Sequence, residues 1–133
     1  MPHRILLVDD DPSIRRAVCR YLTRSGFAVD EADTGQQGLQ SLRTASYDAV
    51  VTDLRMPGMP GEAFVEAVCE AHPHLAERIV LTSGDMSGES VRRLRSRVGC
   101  AALEKPFSMA TLSGLLGRLL GTPQPSPAPS PLQ

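Results

Sequence analysis

The sequence predicts a doubly wound α/β sandwich, a single parallel sheet with helices packed on both faces. Three observations predict it. Five short apolar runs alternate with five longer amphipathic stretches. Four of those runs are almost continuously apolar, as strands covered on both faces require. Each helical stretch also carries its own start and stop residues. Successive βα units of this kind connect by right-handed crossovers.

The elements follow in order. Residues 5–8 form the first apolar run. Asp11 and Pro12 then supply an N-cap and a first-turn proline. Ile14, Val18, Tyr21 and Leu22 make an apolar stripe, and Gly26 closes the helix. Residues 27–32 form a second strand, whose Asp30 and Glu31 suit a sheet edge. Thr34 with Gln37 is a capping-box pattern. It opens a helix that turns Leu39 and Leu42 inward, although Gly35 and Gly38 make it a weak former. A third strand covers residues 49–52. The helix over 62–72 places Phe64, Val68 and Cys69 on one face, and Pro73 stops it. Residues 79–82 form the fourth strand, and 89–97 a helix with Val91, Leu94 and Val98 inward. The fifth strand covers 101–103. Ser108 caps a last helix bearing Leu112, Leu115, Leu116 and Leu119, which Gly121 ends.

Composition bounds what such a chain does. Residues 1–121 suffice for one domain with a real core. Residues 122–133, rich in Pro and Ser, read as an extended, disordered tail or linker. Fourteen basic and fifteen acidic residues nearly cancel, and there are five aromatics and no Trp. That balance argues against direct nucleic-acid binding and against attraction to anionic lipid. Cys19, Cys69 and Cys100 form neither a disulfide framework nor a zinc site. No run is long enough for membrane insertion, and no signal peptide opens the chain. A reduced, cytoplasmic protein is expected, with DNA binding or catalysis left to another polypeptide.

Open α/β sheets bind ligands beyond the carboxyl ends of their strands. Asp9, Asp10 and Asp11 follow the first strand, and Asp53 the third. Thr82, Ser83 and Gly84 follow the fourth, and Lys105-Pro106-Phe107 the fifth. If the first and third strands are neighbours, ~4.8 Å apart, Asp9, Asp10 and Asp53 crowd one small volume. Bare carboxylates there repel by about a few kcal/mol even at an effective dielectric near 20. Raised pKa values, a divalent cation or a bound partner would relieve them. An all-oxygen cluster suits Mg²⁺ (or Mn²⁺) better than zinc. Lys105 and a hydroxyl from Ser83 or Thr82 are natural partners of a phosphoryl group. Carboxylate, cation and lysine together are the parts of phosphoryl transfer to an aspartate, with Asp53 attacking. Asp11 reads as an N-cap.

These motifs resemble a known family. Val8-Asp9-Asp10, the segment from Asp53 through Arg55, Pro57 and Gly58 to Gly61, the Thr82-Ser83-Gly84 turn and Lys105-Pro106-Phe107 are similar to the receiver domain of two-component response regulators. The resemblance covers residues 4–120. It implies a CheY-like, flavodoxin-like sheet of five parallel strands in order 2-1-3-4-5, flanked by five helices. It implies Asp53 as phosphoacceptor, Asp10 as a direct Mg²⁺ ligand with Asp53, Asp9 acting largely through water, and the backbone carbonyl of Arg55 as a further ligand. Lys105 would contact the phosphoryl group, with a cis bond to Pro106, and Ser83, rather than Thr82, would be the switch hydroxyl. The implied donor is a histidine kinase or histidine phosphotransfer protein, and a downstream protein target would read the result. Self-phosphorylation from the donor and self-dephosphorylation would be its only catalysis.

The sequence departs from the family at Ala102, where many receivers carry Tyr or Phe, so the aromatic half of the usual switch, which serves output through the fourth-helix, fifth-strand and fifth-helix face, is absent. Arg92, Arg93, Arg95 and Arg97 suggest a basic docking strip, against the alternative of a solvated face. Arg55 and Asp85 suggest a gate across the pocket mouth. Two other classes compete. An aspartate-nucleophile phosphatase of the haloacid dehalogenase kind needs a second Asp where Arg55 stands. A nucleotide or flavin binder needs GxxxxGK(S/T) or GxGxxG after a strand, and none occurs.

Overall fold

The computed structural model describes residues 2–121; the tail expected over 122–133 lies outside the described residues. Strand β1 (Arg4–Val8) is followed by α1 (Pro12–Arg24), β2 (Ala28–Ala32), α2 (Gly35–Thr44), β3 (Ala49–Asp53) and α3 (Gly61–Ala71). A 3-10 turn (Pro73–Arg78) leads into β4 (Ile79–Ser83), α4 (Glu89–Val98), β5 (Ala101–Glu104) and α5 (Met109–Leu120). The sheet is parallel throughout, in order β2-β1-β3-β4-β5. The five expected strands and five expected helices are all present.

Strand alternation divides the core into two layers. Leu6, Val8, Val50 and Leu81 face Leu42 of α2, Phe64, Val65 and Val68 of α3, and Leu94 of α4. Ile5, Leu7, Val51 and Val80 face Val18 and Leu22 of α1 and Leu112, Leu116 and Leu120 of α5. The central strands β3 and β4 are buried along their whole length, whereas β5, at an edge, is only partly covered. Asp11 accepts hydrogen bonds from Ser13 and Ile14 N–H, Thr34 from Gln37 N–H, and Ser108 from Thr111 N–H, so three expected caps form. Gly26 (φ 101°) and Gly121 (φ 70°) end α1 and α5 in backbone that side-chain-bearing residues rarely adopt.

Three details differ from expectation. β3, β4 and β5 each run one residue further, through Asp53, Ser83 and Glu104, because ladder hydrogen bonding continues into the polar residues. The 3-10 turn, with Leu75 buried in the core, has no periodicity by which to be recognised. Ile14 does not join the buried stripe of α1. It sits on the first turn, above the end of β1, and is 38% exposed.

The outer strand β2 is tied down by a polar cluster. Asp30 accepts hydrogen bonds from the Tyr47 hydroxyl at 2.6 Å and from Arg4 Nη2 at 2.6 Å. The Arg4 guanidinium also lies 5.1 Å from the centre of the Tyr47 ring. Burial, and then the Asp30 carboxylate, push the Tyr47 hydroxyl up to about 12. The folded state thus holds this proton more tightly than the unfolded chain, whose tyrosine titrates near ~10. The associated stability is complete below that value and is lost as pH rises through about 12. Alkaline titration of phenolate absorbance should show a late component that Tyr47→Phe removes; ionisation of Tyr47 near ~10 would contradict the cluster.

Candidate functional site

The β2-β1-β3 arrangement sets β1 and β3 side by side, with Val8 level with Thr52. The residues just beyond, Asp9 and Asp10, therefore meet Asp53. Carboxylate oxygens of the three lie within 4.8 Å of one another. Asp9 and Asp53 are buried, at 4% and 8% exposure, while Asp10 faces solvent. Burial raises the Asp9 carboxyl above its ordinary value, Asp53 and Asp10 push the same way, and the Asp11 N–H and Lys105 oppose them.

The chain holds each group by local backbone bonds. The Asp9 carboxylate accepts the Asp11 N–H at 2.9 Å, and Asp9 N–H donates to the Ala32 carbonyl at 3.1 Å. Asp53 Oδ1 accepts the Arg55 N–H at 3.1 Å, and Asp53 Oδ2 accepts the Lys105 ammonium at 2.9 Å. Lys105 reaches across because its own N–H donates to the Ser83 carbonyl at 2.8 Å, continuing the β4–β5 ladder past the last strand residue. The Lys105–Pro106 bond is cis, as expected. Thr82 is level with Asp53 in the register and is buried; Ser83 follows it at the rim. The Ser83 hydroxyl is engaged with the backbone of Asp85, accepting its N–H at 3.1 Å.

All the rim residues singled out in the sequence thus belong to one end of the sheet. One was missed. Arg15 donates to the Asp9 carbonyl at 2.9 Å and to Glu31 at 2.9 Å, fixing the loop that carries the acidic pair. Only its position one turn past Asp11 hinted at this. No salt bridge closes the Arg55–Asp85 gate, although the Arg55 charge, after the Ser87 hydrogen bonds, helps hold the Asp85 carboxyl below its ordinary value. Asp85 turns its carboxylate to the Ser87 N–H and hydroxyl, at 3.0 and 2.6 Å, and makes no ion pair with Arg55 among the described residues. The basic strip of α4 is half neutralised, since Arg93 pairs with Glu62 at 2.7 Å and Arg97 with Glu66 at 2.8 Å. Ala102 lies in β5, packed against the α2–α4 side of the core.

Fold and rim together define a two-component signalling domain. Residues 5–116 match the family model described as response regulator receiver domain, and the chain belongs to that family. It is 36% identical over 117 residues to the transcriptional regulatory protein QseB of Haemophilus influenzae, covering 88% of this chain and 52% of that protein. The chain spans about half the length of that relative. Among solved structures, the chemotaxis response regulator CheY4 of Vibrio cholerae is 30% identical with a TM-score of 0.78, over 90% of this chain and 99% of that one. The receiver domain of sensor histidine kinase PA1611 from Pseudomonas aeruginosa, described with a magnesium ion in its active-site cleft, is 26% identical. Its TM-score is 0.79, over 92% of this chain and 100% of that one. The phosphatase and nucleotide-binding readings are not favoured. Among the described residues, no helix is long and apolar enough to cross a membrane.

Proposed function

We propose that this receiver, which we place at residues 1–121, takes a phosphoryl group onto Asp53 from a histidine kinase or histidine phosphotransfer protein, and that the modified pocket changes its affinity for a downstream protein. One observation carries the reading. Asp53 is held between a lysine ammonium at 2.9 Å and two further carboxylates within 4.8 Å. Free cysteines at 19, 69 and 100 suit a cytoplasmic setting.

The donor set fits a hard divalent cation. Three carboxylates face a single ammonium, and burial already strains Asp9 towards its neutral form. Asp10 and Asp53, with the Arg55 carbonyl, would hold Mg²⁺ or Mn²⁺ directly, and Asp9 through water. When bound, the cation supplies charge neutralisation for an incoming phosphoryl group. The protein's own groups do the rest. A carboxylate oxygen of Asp53 forms the new bond to phosphorus; the bond from phosphorus to the donor nitrogen breaks, its electron pair staying on the nitrogen. Lys105, already on Asp53 Oδ2, moves its charge to a phosphoryl oxygen, and Ser83 leaves the Asp85 backbone to donate to another. Thr82, buried beside Asp53, is the second hydroxyl within the same register.

Incubation with acetyl phosphate and Mg²⁺ should add the mass of one phosphoryl group to the intact protein, and EDTA should suppress the gain. Absence of the gain with metal present would overturn the reading.

A further inference from the structure

The carbonyl of Asp9 belongs to the peptide that joins the two acidic residues after β1, and it lies where the sheet ends. The β1–β2 ladder continues as far as the Asp9 N–H, which donates to the Ala32 carbonyl at 3.1 Å. β2 stops at Ala32, and Thr34 turns away to cap α2. The next rung of a parallel ladder, an N–H from two residues further along β2, is therefore not supplied by the strand. Arg15 takes its place. Its Nη1 donates to the Asp9 carbonyl at 2.9 Å.

Arg15 is itself held. Its Nε donates to Glu31 Oε1 at 2.9 Å, its backbone N–H donates to the Asp11 carbonyl at 2.9 Å, and its side chain is only 14% exposed. Glu31 is a β2 residue, level with Leu7 in the register. A guanidinium is planar, so bonds from two of its nitrogens to two fixed acceptors set its plane. The Asp9–Asp10 peptide is thus braced against α1 and β2 together. The two acids depend on this brace unequally. The Asp9 carboxylate is buried and accepts the Asp11 N–H at 2.9 Å. Asp10 faces solvent, and no hydrogen bond or ion pair holds its side chain among the described residues. Its place beside Asp53 comes from the backbone, through the peptide that Arg15 fixes.

We infer that Arg15 is a positioning residue for the divalent cation, setting the affinity of the acidic cluster for Mg²⁺ by fixing the Asp9–Asp10 peptide. The inference rests on the cation site of the proposed function. The sign of the effect separates position from charge. A guanidinium close to a cation site repels the cation, so by charge alone its removal would tighten binding. By position its removal loosens Asp10 and weakens binding. Groups that orient metal ligands from behind change metal affinity by about 10–100-fold when they are removed.

The test uses Arg15→Ala, which removes both bonds, and Arg15→Lys, which keeps the charge and loses the planar fork. Alanine and lysine are both good helix formers, so α1 tolerates either. The dissociation constant for Mg²⁺ alone is measured by calorimetric titration of metal-free protein. It should rise at least ~10-fold in Arg15→Ala, and in the same direction in Arg15→Lys. The Mg²⁺ concentration for half-maximal uptake from acetyl phosphate should rise by the same factor, while the rate at saturating Mg²⁺ falls far less. Unchanged affinity in Arg15→Ala would overturn the inference and leave Arg15 a brace of the fold only. Tighter binding would overturn it in favour of a charge effect, and so would affinity fully restored by Arg15→Lys. A loss confined to the saturated rate would overturn it as well, since the residue would then act on the chemical step. A wild type that binds no Mg²⁺ would overturn the cation site and the inference together. A wild type that binds Mg²⁺ yet takes nothing from acetyl phosphate would overturn the proposed function alone, and the affinities would still decide the role of Arg15.

Discussion

Asp53→Asn is expected to lower phosphoryl uptake by at least about a thousandfold, the scale on which loss of a covalent nucleophile acts. The amide keeps the shape of the side chain and can still accept the Arg55 N–H, which Asp53 Oδ1 accepts at 3.1 Å. It lacks the negative charge and the nucleophilic oxygen. Lys105 loses its ion pair, at 2.9 Å, and becomes a donor to a neutral oxygen. The same change removes one of three crowded carboxylates, two of them buried. Without metal the variant should therefore melt no lower than the wild type. The stabilisation that Mg²⁺ adds by binding the native state should shrink, since the site loses a charged ligand. Intact-mass analysis and melting curves with and without Mg²⁺ separate the two effects. A phosphoryl gain in the variant would move the acceptor elsewhere.

The parts of this site that could be read in the sequence are those set by strand ends. Asp9, Asp10, Asp53, Ser83 and Lys105 each follow an apolar run, and in a parallel sheet all such positions share one rim. The strand order itself came from the family resemblance, because apolar runs of similar length carry no neighbour information. What stayed hidden depends on helix rotation and on groups distant in sequence. The bonds from Arg15 to the Asp9 carbonyl and to Glu31 need α1 turned by a particular angle over β2. The pairing of Arg93 with Glu62 and of Arg97 with Glu66 needs α3 and α4 in one relative setting, 31 residues apart in each case. The apolar period of α1 marked Ile14 as core, yet its position beyond the end of β1 leaves no strand for it to cover. Periodicity reports which face turns inward; it does not report where the sheet stops.

Gly61→Ala is the other substitution expected to have a large effect, and its cause is close approach rather than backbone freedom. Gly61 opens α3, and its N–H donates to the Leu54 carbonyl at 3.1 Å. A methyl group there would lie 2.3 Å from the Leu54 oxygen, 2.6 Å from its Cα and 2.7 Å from its carbonyl carbon. These are backbone atoms and cannot swing aside as a side chain would. Either α3 moves away from Phe64's packing site or the 54–60 loop shifts, and overpacking of this kind costs about 3 kcal/mol. For a domain of this size that corresponds to a melting temperature lower by roughly 10 °C. Gly114→Ala is the control, since nothing lies within 4 Å of the added methyl in the middle of α5. It should be neutral or stabilising by up to ~1 kcal/mol. The loop that Gly61 constrains begins directly after Asp53 and includes Arg55, whose N–H orients the acceptor carboxylate. Phosphoryl uptake by Gly61→Ala should accordingly fall by about tenfold at temperatures where the variant is still folded, the scale expected of a small misplacement of a reacting group. A variant that melts with the wild type would show that the Leu54–Gly61 contact can relax, and that the loop is not pinned by it.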